Sequence, residues 1–166
     1  MDTAGSILNN DVKELLSYTD LVILDIKHTD AAAYDDLCGQ PVPNKNVEIA
    51  SGTKNYNCHC EPACKDGQTK QSVPIYDRVL AFLEYCASEN KRLWLRQVVI
   101  PTINDTKEQV LRLRDLARQY NAEKAELLAY HTMGVSKWEK LGLDYTLKGI
   151  SPMDEKAIGK LRKSLD

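Results

Sequence analysis

The sequence predicts an α/β fold built on a parallel sheet. Two observations carry this. Apolar runs of strand length alternate with amphipathic helical patterns of ten or more residues, the signature of βαβ units. The first run is also almost continuously apolar, as in parallel strands covered on both faces. Three such strands are too few for a closed barrel, which takes eight units and about 250 residues. The sheet is therefore either an open doubly wound one or part of a larger barrel. The abrupt opening, a turn with no strand before it, favours the part-barrel.

The opening Met1-Asp2-Thr3-Ala4-Gly5-Ser6 reads as the end of a βα turn. Asn10 or Asp11 then caps a short helix running to about Tyr18, with Val12, Leu15 and Leu16 on one face. The first strand is Leu21-Val22-Ile23-Leu24-Asp25-Ile26-Lys27, whose period of two puts Asp25 and Lys27 on the same face. Helical patterns follow at about Ile75 to Ser88, Thr106 to Tyr120 and Pro152 to Leu165. Asp105 with Glu108 reads as a capping box for the second of these, and Ser151-Pro152 as a cap and first-turn proline for the third. The remaining strands are Leu93 to Ile100, ended by Pro101, and Ala125 to Tyr130. A polar stretch from about Gly39 to Ser72 interrupts the alternation; a loop so long is either functional or without fixed order, and reads as an insertion.

At 166 residues the chain has the length of one compact domain, residues 1–166. A net charge of -2 gives no reason to expect nucleic acid or an anionic membrane as a partner. No apolar run approaches the roughly 18 residues that span a bilayer, and no signal-like segment opens the chain. The expectation is a cytoplasmic protein with reduced thiols, because five cysteines cannot all pair.

Ligand sites in parallel α/β proteins lie at the carboxyl ends of the strands. Asp25 and Lys27 close the first strand, Arg96 lies in the second, and His131 follows the third. Convergence of these residues on one rim points to a site. The competing reading is structural charge compensation between Asp25 and Lys27 or Arg96, since isolated buried charges are costly.

Five segments in register resemble the activating enzymes of glycyl-radical enzymes, the pyruvate formate-lyase activating type of the radical S-adenosylmethionine (SAM) superfamily. Leu24-Asp25-Ile26-Lys27 resembles that family's Asp-x-Lys strand, and Leu37-Cys38-Gly39 its following Leu-x-Gly. Trp94 to Pro101 is similar to its arginine-bearing strand, which ends in proline. Leu127 to Gly134, with Lys137-Trp138 and Leu141-Gly142, matches its Tyr-His, Gly, Lys-Trp, Gly segment. Asp2-Thr3-Ala4-Gly5 resembles its Asp-Thr-Asn-Gly turn.

The resemblance implies a partial (β/α) barrel of the radical SAM type, represented by its C-terminal half with about three strands. It implies reductive cleavage of SAM by a [4Fe-4S] cluster, and removal of a hydrogen atom from a glycine of a partner such as pyruvate formate-lyase. A flavodoxin- or ferredoxin-type electron donor is implied for the full-length protein. Lys27 and His131 fall on SAM-contacting positions and Arg96 on a site arginine. Asp2, Thr3 and Asp25 fall on positions that hold a monovalent cation. The family's Cys-x3-Cys-x2-Cys should precede residue 1, so the expectation is an inactive C-terminal fragment. Alternatives are a non-catalytic module that binds a glycyl-radical enzyme, and an unrelated α/β enzyme using Asp25, Lys27 and His131 for acid–base chemistry.

Cys58-His59-Cys60-Glu61-Pro62-Ala63-Cys64 has the spacing Cys-x-Cys-x3-Cys, and Gly67 stands where a third cluster cysteine would fall after Cys60 and Cys64. A zinc or auxiliary iron–sulfur site from Cys58, Cys60 and Cys64 with His59 or Cys38 suits the donor types, although adjacent ligands strain a tetrahedral geometry. The other reading is reduced thiols open to oxidation. Cys86 is expected in the core, as is Trp94, and Trp138 is expected in a loop near His131, shaping the mouth of the site.

Overall fold

A computed structural model describes residues 1–38, 73–142 and 145–165. Its sheet has four parallel strands: β1 (Asp2–Thr3), β2 (Leu21–Asp25), β3 (Arg92–Val99) and β4 (Lys124–Ala129), in the spatial order β1-β2-β3-β4. Helix α1 (Asn10–Ser17) links β1 to β2. Helices α2 (Ala31–Leu37) and α3 (Ile75–Ser88) lie between β2 and β3, and α4 (Lys107–Gln119) lies between β3 and β4. Helices α5 (Val135–Lys140) and α6 (Glu155–Arg162) follow β4. Among the described residues strand order never reverses, so they contain no switch point of the doubly wound kind. The progression is that of a barrel segment.

The sheet is covered on one face. Val22, Leu24, Leu93, Leu95, Val99 and Leu127 are buried, and pack with Leu16, Val79, Phe82, Leu83, Leu113 and Ile158 of the helices. Ile23, Asp25, Trp94 and Arg96 point to the opposite, half-exposed face. The expectation that the first strand is buried on both sides is therefore corrected, because its apolar run hides a one-sided strand. Gly5 lets β1 turn into α1. Its φ is +65°, and a Cβ there would lie 2.5 Å from Leu24 Cδ1 and 3.4 Å from Phe82 Cγ.

Three helix starts and one strand differ from expectation. Asn9, not Asn10 or Asp11, caps α1 by accepting from the Val12 amide at 2.9 Å. Thr106 caps α4, and Glu108 reaches Arg112 at 2.7 Å instead of closing a capping box with Asp105. Helix α6 starts after Asp154, because the buried Met153 donates its amide to the Tyr130 carbonyl at 2.9 Å and holds residues 151–153 beside the end of β4. Asp2–Thr3, read as a turn, forms the fourth strand, its register fixed by the Ile23 amide donating to the Met1 carbonyl at 2.8 Å. The short helices α2 and α5 carry too few residues for a periodic signal.

Candidate functional site

The half-exposed face carries a chain of charges across three strands. Asp25 and Arg96 are register partners on β2 and β3, so their side chains leave the sheet on the same side. Arg96 Nε donates to Asp25 Oδ1 at 2.7 Å, and Arg96 Nη2 donates to Asp2 Oδ1 and Oδ2 at 2.9 and 2.7 Å. Lys27, two residues beyond Asp25, donates from Nζ to Asp25 Oδ2 at 3.2 Å. The result is an alternating row, Asp2–Arg96–Asp25–Lys27.

Burial alone would raise the Asp25 carboxyl, but the Arg96 hydrogen bond and the Lys27 ammonium outweigh it and hold the group below its ordinary value. Hydrogen bonds to Asp25 and Asp2 hold the Arg96 guanidinium above its own. Asp25 and Arg96 side chains are 23% and 21% exposed, against 59% for Asp2, so the inner pair is the better insulated one.

The structure brings together four of the residues expected at the site, Asp2, Asp25, Lys27 and Arg96. Thr3 lies on the strand position facing the other way, and its Oγ1 accepts from the Gly5 amide at 3.1 Å. The Arg96 guanidinium stands between the two carboxylates of the expected monovalent-cation set. His131 follows Tyr130 at the carboxyl end of β4, exposed, with no hydrogen bond to the described residues. Cys58, His59, Cys60 and Cys64 lie outside the described residues, while Cys38 is the exposed C-cap of α2.

Cys86 is in the core, fully buried, as expected. Trp94 is not: it lies on the half-exposed face with the Lys124 ammonium 4.7 Å from its ring centroid and its Nε1 donating to Glu123. Lys124 and Glu123 can keep it half-wet because no helix of the described residues lies over that face. Trp138 lies on the short α5, not in a loop, and its ring is 5.7 Å from that of Tyr145. The Tyr145 hydroxyl is 2.8 Å from that of Tyr130, which ties α5 to the end of β4. Sequence reasoning passes over Asn104, which is fully buried and donates to the Lys27 carbonyl at 3.2 Å. An amide side chain five residues beyond the end of β3, following the mostly apolar Ile100-Pro101-Thr102-Ile103, is the available signal.

A singly wound parallel sheet, helices on one face and a charged row on the other, defines the chain as a partial (β/α) barrel with its polar rim at the carboxyl ends. Comparison with known proteins is specific. The pyruvate formate-lyase-activating enzyme of Clostridium pasteurianum is 34% identical over 166 residues, covering 99% of this chain and 55% of that protein. Those of Staphylococcus epidermidis and Escherichia coli K12 are 30% and 29% identical, over 90% and 100% of this chain and 47% and 55% of theirs. A solved domain of pyruvate-formate lyase-activating enzyme from Bacteroides vulgatus shares the fold, with a TM-score of 0.59 at 14% identity, over 99% of this chain and 72% of that one. No family model matches. The chain is thus a relative of the pyruvate formate-lyase-activating enzymes and spans about half the length of the curated relatives it matches.

Proposed function

We propose that this chain supplies the SAM-binding rim of a glycyl-radical-enzyme activating enzyme whose partner is pyruvate formate-lyase or a similar protein. The observation that carries the reading is the alternating Asp2–Arg96–Asp25–Lys27 row. SAM presents a carboxylate beside an ammonium and a sulfonium, so its recognition calls for both signs of charge at close quarters. A row of net charge zero meets that need better than the dense positive charge that a phosphorylated ligand requires. Lys27 spends one of its three donors on Asp25 and has two left for a carboxylate. Asp25, already held ionised by two cations, is a poor proton donor, which counts against acid–base catalysis by the Asp25, Lys27 and His131 set. His131, exposed and without a described partner, is available to a ligand lying along the rim.

In the whole protein a [4Fe-4S] cluster would supply the electron for reductive cleavage of SAM, with a flavodoxin- or ferredoxin-type protein as its electron source. These 166 residues do not fit such a cluster. The sequence holds no Cys-x3-Cys-x2-Cys, and among the described residues no three of His, Cys, Asp and Glu form a metal-ligand set. The cluster ligands would come from outside the 166 residues, which by themselves are read as inactive. A monovalent cation at Asp2 and Asp25 would require Arg96 to release a carboxylate.

The test is titration of the 166-residue chain with SAM, followed by amide chemical shifts. The expected result is perturbation at Lys27, Arg96 and His131 that disappears in Lys27→Met. Shifts confined to residues away from this rim refute the reading.

A further inference from the structure

We propose that Asn104 is a positioning residue of the rim, fixing the main chain of Lys27 and so the place where its ammonium is presented. The functional meaning rests on the proposed ligand rim; the geometry and the test below do not.

Lys27 stands beyond the last residue of β2. The final ladder-type bond on that strand is the Ile26 amide donating to the Arg96 carbonyl at 2.8 Å. Asn104 takes over where the ladder stops. Its Nδ2 donates to the Lys27 carbonyl at 3.2 Å and to the Val98 carbonyl at 3.0 Å, while its Oδ1 accepts from the Ile100 amide at 2.6 Å. Both donors and the acceptor are used, at a side chain with no exposure. One residue therefore ties the exit of β2 to the exit of β3. The fully buried Tyr34 hydroxyl faces the same Lys27 main chain from the side of α2.

The turn that delivers Asn104 is itself strained. The Ile103 and Asn104 amides both donate to the Ile100 carbonyl at 3.2 Å, and Thr102, inside the turn they close, has φ +69°. A β-branched residue in the left-handed region brings its Cβ against the following carbonyl oxygen and is strained. Strain of this kind persists only where surrounding contacts over-determine it. The three hydrogen bonds of Asn104 are such contacts.

The experiment follows Lys27 directly, by the amide shifts of Lys27 and His28 and by relaxation of the Lys27 Cε, in the 166-residue chain. Asn104→Ala is expected to move those amides and to bring the Lys27 Cε toward the mobility of exposed Lys148. Val110→Ala, a fully buried α4 change, is the control that lowers stability without changing either signal. Unchanged Lys27 signals in a folded Asn104→Ala, or the same change in Val110→Ala, overturns the proposal. Should Asn104→Ala not fold, hydrogen exchange of the Asn104 Nδ2 protons in the wild-type chain decides. Protection of about a hundred-fold or more over a free amide is expected from bonds to the Lys27 and Val98 carbonyls, and exchange at the free rate overturns it. None of these outcomes depends on SAM binding, so failure here and failure of the ligand reading are separate events.

Discussion

Replacing Arg96 with methionine keeps an unbranched apolar stem, removes the guanidinium and deletes three charge-assisted hydrogen bonds, one to Asp25 and two to Asp2. Hydrogen bonds to charged groups contribute about 1.5–3 kcal/mol where they are shielded, and exposed pairs about 0–1 kcal/mol. Asp25 is 23% exposed and Asp2 59%, so the first bond carries most of the effect. The expected loss is about 2 kcal/mol at pH 7, roughly a thirty-fold change in the folding constant. The sign of the pH dependence follows from Asp25. Its folded-state value lies below the ordinary 3.8, so the stability it contributes is present above that value and is lost as pH falls through the lower, folded one. Urea unfolding of both proteins at pH 7 and in steps below pH 4 (about the ordinary carboxylate value) makes the measurement. The gap is expected to be full at pH 7 and to close in acid. A gap that does not change on acidification refutes the argument, since it would come from packing and not from the ion pair.

Further outcomes follow from other positions. Gln97 is fully buried on the helix-covered face with no protein partner for its amide among the described residues, so Gln97→Leu is expected to raise stability by about 1–3 kcal/mol; a lower urea midpoint contradicts this. Gly5→Ala combines a left-handed backbone with a 2.5 Å approach to Leu24, and is expected to cost about 1–3 kcal/mol in thermal unfolding, where no change would show that the turn relaxes freely. Cys86 is buried and its thiol is pushed up to about 11, so peptide mapping after alkylation at pH 8 is expected to find it unmodified until urea unfolds the chain. His131→Ala is expected to leave the unfolding free energy within about 0.5 kcal/mol of wild type while weakening the SAM-dependent shifts expected at Lys27 and Arg96.

The alternation of strands with helices and the shared face of Asp25 and Lys27 were legible in the sequence because each rests on a short-range period. Alternation along β2 alone puts Asp25 and Lys27 on one side. What period cannot show is which side a helix covers, and so Trp94, apolar enough for a core, lies instead on the half-exposed face beneath Lys124. Long-range bonds were equally hidden. Nothing local in Asp2 foretells its bond to Arg96, 94 residues away, and nothing in Asn104 foretells its bond to Lys27, 77 residues away. Caps shifted by a residue or more wherever a neighbour with a suitable oxygen, such as Asn9 or Thr106, competed with the expected one.

The stems from which residues 39–72 depart and return are fastened to each other. The Tyr76 amide donates to Asp35 Oδ1 at 3.1 Å, the Tyr34 and Tyr76 rings lie 5.4 Å apart, and the Tyr76 hydroxyl reaches the Thr29 carbonyl at 3.3 Å. A segment whose two feet are already joined can grow or shrink at small thermodynamic expense, about 0.6 kcal/mol for each doubling of its length. Such a gusset makes the crossover between β2 and β3 a place where evolution, or an engineer, can splice in foreign sequence while the charged rim keeps its alignment.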